Sequence, residues 1–224
     1  MGADDLVTQA RQEGDPLFGT LRVGVIPTVS PYLLPRAAPA LRREYPRLAV
    51  VWVEEKTPVL ARSLEEGSLD AALLALEAEV GDVEHAVIAR DPFVLATPAG
   101  HPLARSDAPA RAADIRHAPV LLLDDGHCFR EQALAFCSKA RAREVEFRAT
   151  SLPTLAQMVA SGIGVTLLPL LAVPTEAGRS RLSVRPFAEP APHRTIALVW
   201  RRRSPMGPAL RQVAATIARA YPAA

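Results

Sequence analysis

Two cysteines, Cys128 and Cys137, are the only thiols in the chain, and the first follows a histidine, His127. They stand in Leu121-Leu-Leu-Asp-Asp-Gly-His-Cys-Phe-Arg-Glu-Gln-Ala-Leu-Ala-Phe-Cys137. A buried strand is expected to end near Leu123, Asp124-Asp125-Gly126 to turn the chain, and a helix to begin at Cys128. Phe129, Ala133, Phe136, Cys137 and Ala140 then share one face, so the helix is amphipathic. This separates the thiols chemically. Cys128 sits at the helix N-terminus, where the macrodipole favours a thiolate, with His127 and Arg130 adjacent. Cys137 lies on the apolar face, where a thiol stays protonated and inert.

A helix over this stretch separates the two positions by about 13.5 Å of rise and turns them to opposite sides. A disulfide needs Cα atoms within roughly 7 Å. The pair can therefore be joined only if the helix unwinds and Cys137 leaves the core, which describes a redox-driven switch. Spacing alone leaves open the plainer alternative of a core cysteine and an incidental thiol. A zinc site from His127 and both cysteines would need the same collapse and has no evident fourth ligand.

The elements that must position these groups alternate along the chain. Short apolar runs at 21–26, 48–53, 71–76, 93–97, 120–123, 165–168 and 195–200 read as buried strands. Helices are expected at 34–45, 59–66, 128–141, 154–161 and 208–220, with Pro39 blurring the first. Such alternation predicts parallel α/β layers. The texture changes near Asp91-Pro92, where a Pro-, Ala- and Arg-rich passage (97–119) begins, and again at 187–192. Two crossings between two lobes, each with its own small sheet, would leave a cleft of the kind ligands favour.

Composition narrows the classes. At 224 residues and 49% apolar the chain can bury a sizeable core and is not intrinsically disordered. Two cysteines rule out a disulfide scaffold. The net charge of +2 is spread along the chain, and Arg201-Arg202-Arg203 reads as a solvated strand end. The chain carries no helix-turn-helix, zinc-finger or RNA-binding signature, no apolar stretch of membrane-spanning length and no signal-peptide pattern. The expectation is a cytoplasmic chain with reduced thiols.

The string D-D-G-H-C-F-R-E-Q-A-L-A-F-C, with F-R-A-T-S-L (147–152), G-I-G-V-T-L-L-P (162–169), G-V-I-P-T-V-S-P-Y-L-L-P (24–35) and H-R-T-I-A-L-V (193–199), resembles the regulatory domain of the OxyR family. These are hydrogen peroxide sensors among the LysR-type transcriptional regulators, and the resemblance covers residues 17–220. It implies a periplasmic-binding-protein-like α/β fold of two Rossmann-like subdomains joined by two crossovers. Subdomain I would comprise 16–92 and 196–224, and the redox-active subdomain II 93–195. Residues 1–15 would be the end of a linker helix, and the winged-helix DNA-binding domain would be absent.

Residue by residue, the resemblance makes Cys128 the peroxide-reactive cysteine and Cys137 the resolving one. His127 becomes the histidine beside the reactive sulfur, Thr28 and Thr57 line the peroxide pocket, and Arg194 stands near the reactive cysteine. Ser30 departs from the small residue common in the family and either adds a hydroxyl near Thr28 or points elsewhere. Each has a plainer reading as well. Thr28 and Thr57 suit helix caps, His127 suits a residue that merely closes the turn, and a lone arginine before a strand is ordinarily a solvated charge.

The implied function is stoichiometric peroxide sensing, not enzymatic turnover, with no cofactor and no metal. Its implied partners are hydrogen peroxide and a dithiol reductant such as glutaredoxin. Homodimer and tetramer assembly, promoter DNA and RNA polymerase would be engaged by the full-length protein only, and no membrane. Two other readings stand beside it: a LysR-type domain that binds a small metabolite in the interlobe cleft, and a thiol peroxidase.

Overall fold

The computed structural model describes residues 17–222; the linker-helix expectation for 1–15 lies outside them. The chain folds as two compact units. The first holds Leu33–Ala89 with the flanking segments 17–26 and 196–222. The second holds Pro27–Tyr32 and Arg90–Thr195.

In the first unit β1 (Gly19–Val25) buries Leu21, Val23 and Val25 and pairs in parallel with β2 (Leu48–Glu54) and β3 (Ala71–Ala75). From Ile196 onward β9 (His193–Arg201) runs antiparallel to β3. Helix α1 (Ser30–Glu44) contains Pro35 and Pro39 and still forms, because Leu33, Ala37 and Leu41 bury one stripe at four-residue spacing. Helix α2 (Thr57–Glu65) and the C-terminal α6 (Gly207–Ala220) complete this unit. Arg201 is no solvated strand end: its Nη1 donates to the carbonyls of Leu64 (2.7 Å) and Leu69 (2.8 Å).

In the second unit the outer part of β4 (Val83–Thr97) pairs antiparallel with β7 (Thr166–Pro169) and β8 (Ser183–Pro186). Next to them β5 (Pro119–Leu123) and β6 (Arg143–Ala149) pair in parallel, and Val120 bridges Val165. Helices α3 (Cys128–Lys139), α4 (Leu152–Ala160) and α5 (Val173–Ser180) belong here. The expected parallel pairing holds for β1–β2, β1–β3 and β5–β6, whereas β3–β9, β4–β7 and β4–β8 are antiparallel. Strands β4 and β9 each run from one unit into the other, and the antiparallel pairings fall on these two strands.

One glycine has a hard steric reason. A Cβ on Gly164 would run into the Pro119 carbonyl oxygen and lie 2.7 Å from Leu121 Cδ1. The same oxygen accepts from Val165 N at 2.9 Å, so backbone pairing would have to open. Gly164→Ala is expected to destabilise the chain by about 1–3 kcal/mol, as overpacking does. An unchanged urea midpoint would contradict that close approach.

Among the described residues no helix is long and apolar enough to cross a membrane.

Candidate functional site

Helix α3 carries both cysteines, one at its first residue and one in its last turn. Gly126, with φ of 85°, makes the turn into the helix, and Asp124 N donates to Ala149 O at 2.7 Å, tying that turn to β6. His127 is the N-cap residue, is buried, and makes no side-chain capping bond. Both cysteines are free, with Cys128 6% and Cys137 4% exposed.

Their surroundings differ. Burial, with a smaller contribution from the Glu144 carboxylate, pushes the Cys137 thiol up to about 12. At neutral pH this sulfur is protonated and a poor nucleophile. A raised pKa favours the folded state below the thiol's ordinary range, and that contribution is lost as pH climbs toward 12. The reduced chain is therefore expected to lose stability between about pH 9 and 12. Denaturant melts of the Cys137→Ala chain should show a shallower alkaline slope; identical slopes would contradict the burial of a titrating thiol.

Arg130 follows Cys128 by two residues in the helix, and its guanidinium is committed elsewhere. It donates to Leu123 O (3.1 Å), Asp125 Oδ1 (2.8 Å) and Glu144 Oε1 (2.8 Å). Arg148 pairs with Asp125 as well. The first turn of α3 is thus fastened to the end of β5, the preceding loop and β6.

Phe129, the residue after Cys128, packs edge-on against Phe93 at 5.0 Å, and the Arg194 guanidinium lies 5.7 Å from its ring centroid. Arg194 is fully buried, not the solvated charge that a lone arginine suggests. Its Nε and Nη2 both reach Asp91 Oδ2 at 2.9 Å. Nη1 donates to Thr28 Oγ1 at 2.7 Å and Nη2 to Thr28 O at 3.0 Å. Asp91, also fully buried, accepts from Leu171 N on its other oxygen at 3.0 Å. Because Oγ1 of Thr28 receives the arginine proton, its own hydroxyl proton is left to donate. That arrangement replaces the capping role considered for Thr28.

The second unit therefore brings together Thr28, Arg194 and the helix turn that bears Cys128. Ser30, the first residue of α1, is half-buried and makes no side-chain hydrogen bond among the described residues. Thr57 belongs to the first unit, where it is buried with its hydroxyl unpartnered. It does not cap α2, because Lys56 occupies the N-cap position and Thr57 is itself helical. Sequence reasoning missed two buried acids in the second unit. One is Asp91, whose place before Pro92 reads as a boundary. The other is Glu176, which accepts from Tyr32 Oη at 2.8 Å; burial and this bond raise the Tyr32 phenol well above its ordinary range.

The LysR substrate binding domain matches residues 14–222. The chain therefore belongs to the LysR substrate-binding domain family. Within it the chain is similar to the hydrogen peroxide-inducible gene activators. It is 47% identical over 219 residues to the probable hydrogen peroxide-inducible genes activator of Mycobacterium avium, covering 96% of this chain and 70% of that protein. A hydrogen peroxide-bound cysteine-to-serine mutant of Corynebacterium glutamicum OxyR superposes with a TM-score of 0.87 at 32% identity, over 98% of this chain and 70% of that one. The reduced form of an OxyR gives 0.83 at 41% identity, over 92% and 97%.

Proposed function

We propose that this chain is the redox-sensing regulatory domain of an OxyR-type transcriptional regulator, with Cys128 oxidised by hydrogen peroxide and Cys137 resolving the product. One observation carries the reading: the two thiols occupy opposite ends of one helix, one next to Phe129, over whose ring the buried Arg194 lies, and one held protonated in the core. The Cys128 thiolate attacks one peroxide oxygen, the O–O bond breaks, and sulfur is oxidised to a sulfenic acid while hydroxide leaves and takes up a proton as water. The Cys137 thiol then condenses with that sulfenic acid, forming the S–S bond and releasing a second water. Two thiols and one peroxide thus give one disulfide and two waters.

Peroxide is small and neutral, so donors placed where charge develops on the leaving oxygen must supply selectivity. Thr28 offers its free hydroxyl proton, Arg194 polarises that hydroxyl, and His127 adjoins the reactive sulfur. The family pattern adds Thr57 to the peroxide pocket, and Ser30, two residues after Thr28, stands where that pattern commonly has a small residue. Because α3 forbids the bond while intact, oxidation refolds it. That refolding is the signal, and it would change how dimers associate into tetramers on promoter DNA and how RNA polymerase is engaged in the full-length protein. A dithiol such as glutaredoxin restores the thiols, in keeping with a cytoplasmic setting. Rapid turnover as a peroxidase is disfavoured, since every cycle would unwind and rewind α3.

Equimolar peroxide added to the reduced chain should consume both thiols and link the Cys128 and Cys137 peptides. Cys137→Ser should instead accumulate a sulfenic acid at Cys128, detected by dimedone adduct mass. If both thiols survive micromolar peroxide, the reading fails. A metabolite-binding domain would respond to its ligand unchanged in both cysteine variants.

A further inference from the structure

We propose that Asp91 is the positioning residue of the peroxide site, holding the Arg194 guanidinium so that Thr28 presents a hydroxyl proton to the bound oxidant. This rests on the reading just given and concerns a residue that the cysteine motif does not include.

Arg194 and Asp91 are both fully buried, and a buried charge persists only when paired and bonded. Asp91 uses its two oxygens differently. Oδ1 takes the Leu171 amide at 3.0 Å, which fixes the carboxylate to the backbone just after β7. Oδ2 takes Nε and Nη2 of Arg194, both at 2.9 Å. This leaves Nη1 aimed at Thr28 Oγ1, 2.7 Å away, while Nη2 also reaches the Thr28 carbonyl. The guanidinium plane is thereby set at three points, and the same group lies over the ring of Phe129, next to Cys128. A hydroxyl that accepts from Arg194 on one lone pair turns its proton away from that donor, so Asp91 influences indirectly which way the Thr28 proton points.

An asparagine at position 91 cannot reproduce this. It has one acceptor oxygen for the Leu171 amide and the arginine together, and its amide group would face donors. Simple electrostatics and positioning then predict opposite results. If Asp91 merely muted the charge of Arg194, its loss would strengthen the positive field and quicken the reaction of Cys128. If it positions, peroxide oxidation slows while the sulfur itself stays as reactive as before.

The test uses the 224-residue chain with Cys137→Ser to isolate the first step, and compares two reagents on Cys128. Hydrogen peroxide reads donor geometry; iodoacetamide, which needs no leaving-oxygen stabilisation, reads the thiolate alone. Asp91→Asn should slow the peroxide reaction by about tenfold to a hundredfold, the scale of a misplaced group, while alkylation changes less than about threefold. A faster peroxide reaction, an unchanged one, or a parallel fall in both rates would overturn the proposal. Should Asp91→Asn fail to fold, the double variant Asp91→Asn/Arg194→Met removes both charges and keeps most of the volume. Its peroxide rate should match that of Arg194→Met within about twofold, since Asp91 acts through Arg194. A further loss of about tenfold in the double variant would show that it acts independently. If the parent chain does not react with peroxide at all, the sensor reading fails before this one is reached.

Discussion

Cys128→Ser is expected to leave the chain indifferent to hydrogen peroxide, with no disulfide, no sulfenic acid and α3 intact at peroxide levels that fully oxidise the parent. The effect is total because Cys137 cannot substitute. Burial and Glu144 hold its thiol protonated far above neutral pH, and only the thiolate is an effective nucleophile. The fold should barely change, since serine is nearly isosteric and Cys128 makes no covalent link. Free-thiol titration after peroxide should still find the Cys137 thiol. Its loss at micromolar peroxide would mean that the roles of the two cysteines are misassigned.

Arg194→Met has the largest expected effect of any change that spares the thiols, and it has two components. Removing the guanidinium strands the Asp91 carboxylate in the core, and breaking a buried pair from one side costs about 3–5 kcal/mol. It also deprives Thr28 of the donor at 2.7 Å that sets its hydroxyl. Loss of such a preorganised donor slows reaction by roughly 10²–10³-fold. Urea melts read the first component and stopped-flow oxidation the second. If the variant melts with the parent and oxidises at the parental rate, neither the pair nor the donor network matters.

The helix bearing both cysteines was legible in the sequence because its information is local. Apolar residues recur at helical spacing from Phe129 to Ala140, and a turn ending in Gly126 precedes them. The difference in environment followed from that same periodicity. What surrounds the reactive end was not legible in the same way. Arg194 meets Asp91 across 103 residues and Thr28 across 166, and no spacing rule spans such separations. Only the family resemblance singled out Arg194, and it said nothing of its carboxylate. Proximity in sequence also misled: Arg130 is two residues from Cys128 yet pairs with Glu144 on β6. Strand β6 is hidden in the sequence because Arg143, Glu144, Glu146 and Arg148 break its apolar run, leaving Val145 and Phe147 only half-buried. Helix α1 is legible from Leu34 onward in spite of Pro39, whereas its start at Ser30 is not.

If peroxide joins Cys128 to Cys137, it makes a bond that an intact α3 forbids, and chemistry and refolding must be one event. Amide hydrogen exchange across residues 128–139, measured before and after one equivalent of peroxide with intact mass in parallel, tests this most directly. The expected result is protected amides in the reduced chain, loss of two hydrogens on oxidation, simultaneous loss of protection across this segment, and recovery of both with a dithiol. A Cys128–Cys137 disulfide formed while the α3 amides stay protected would contradict it.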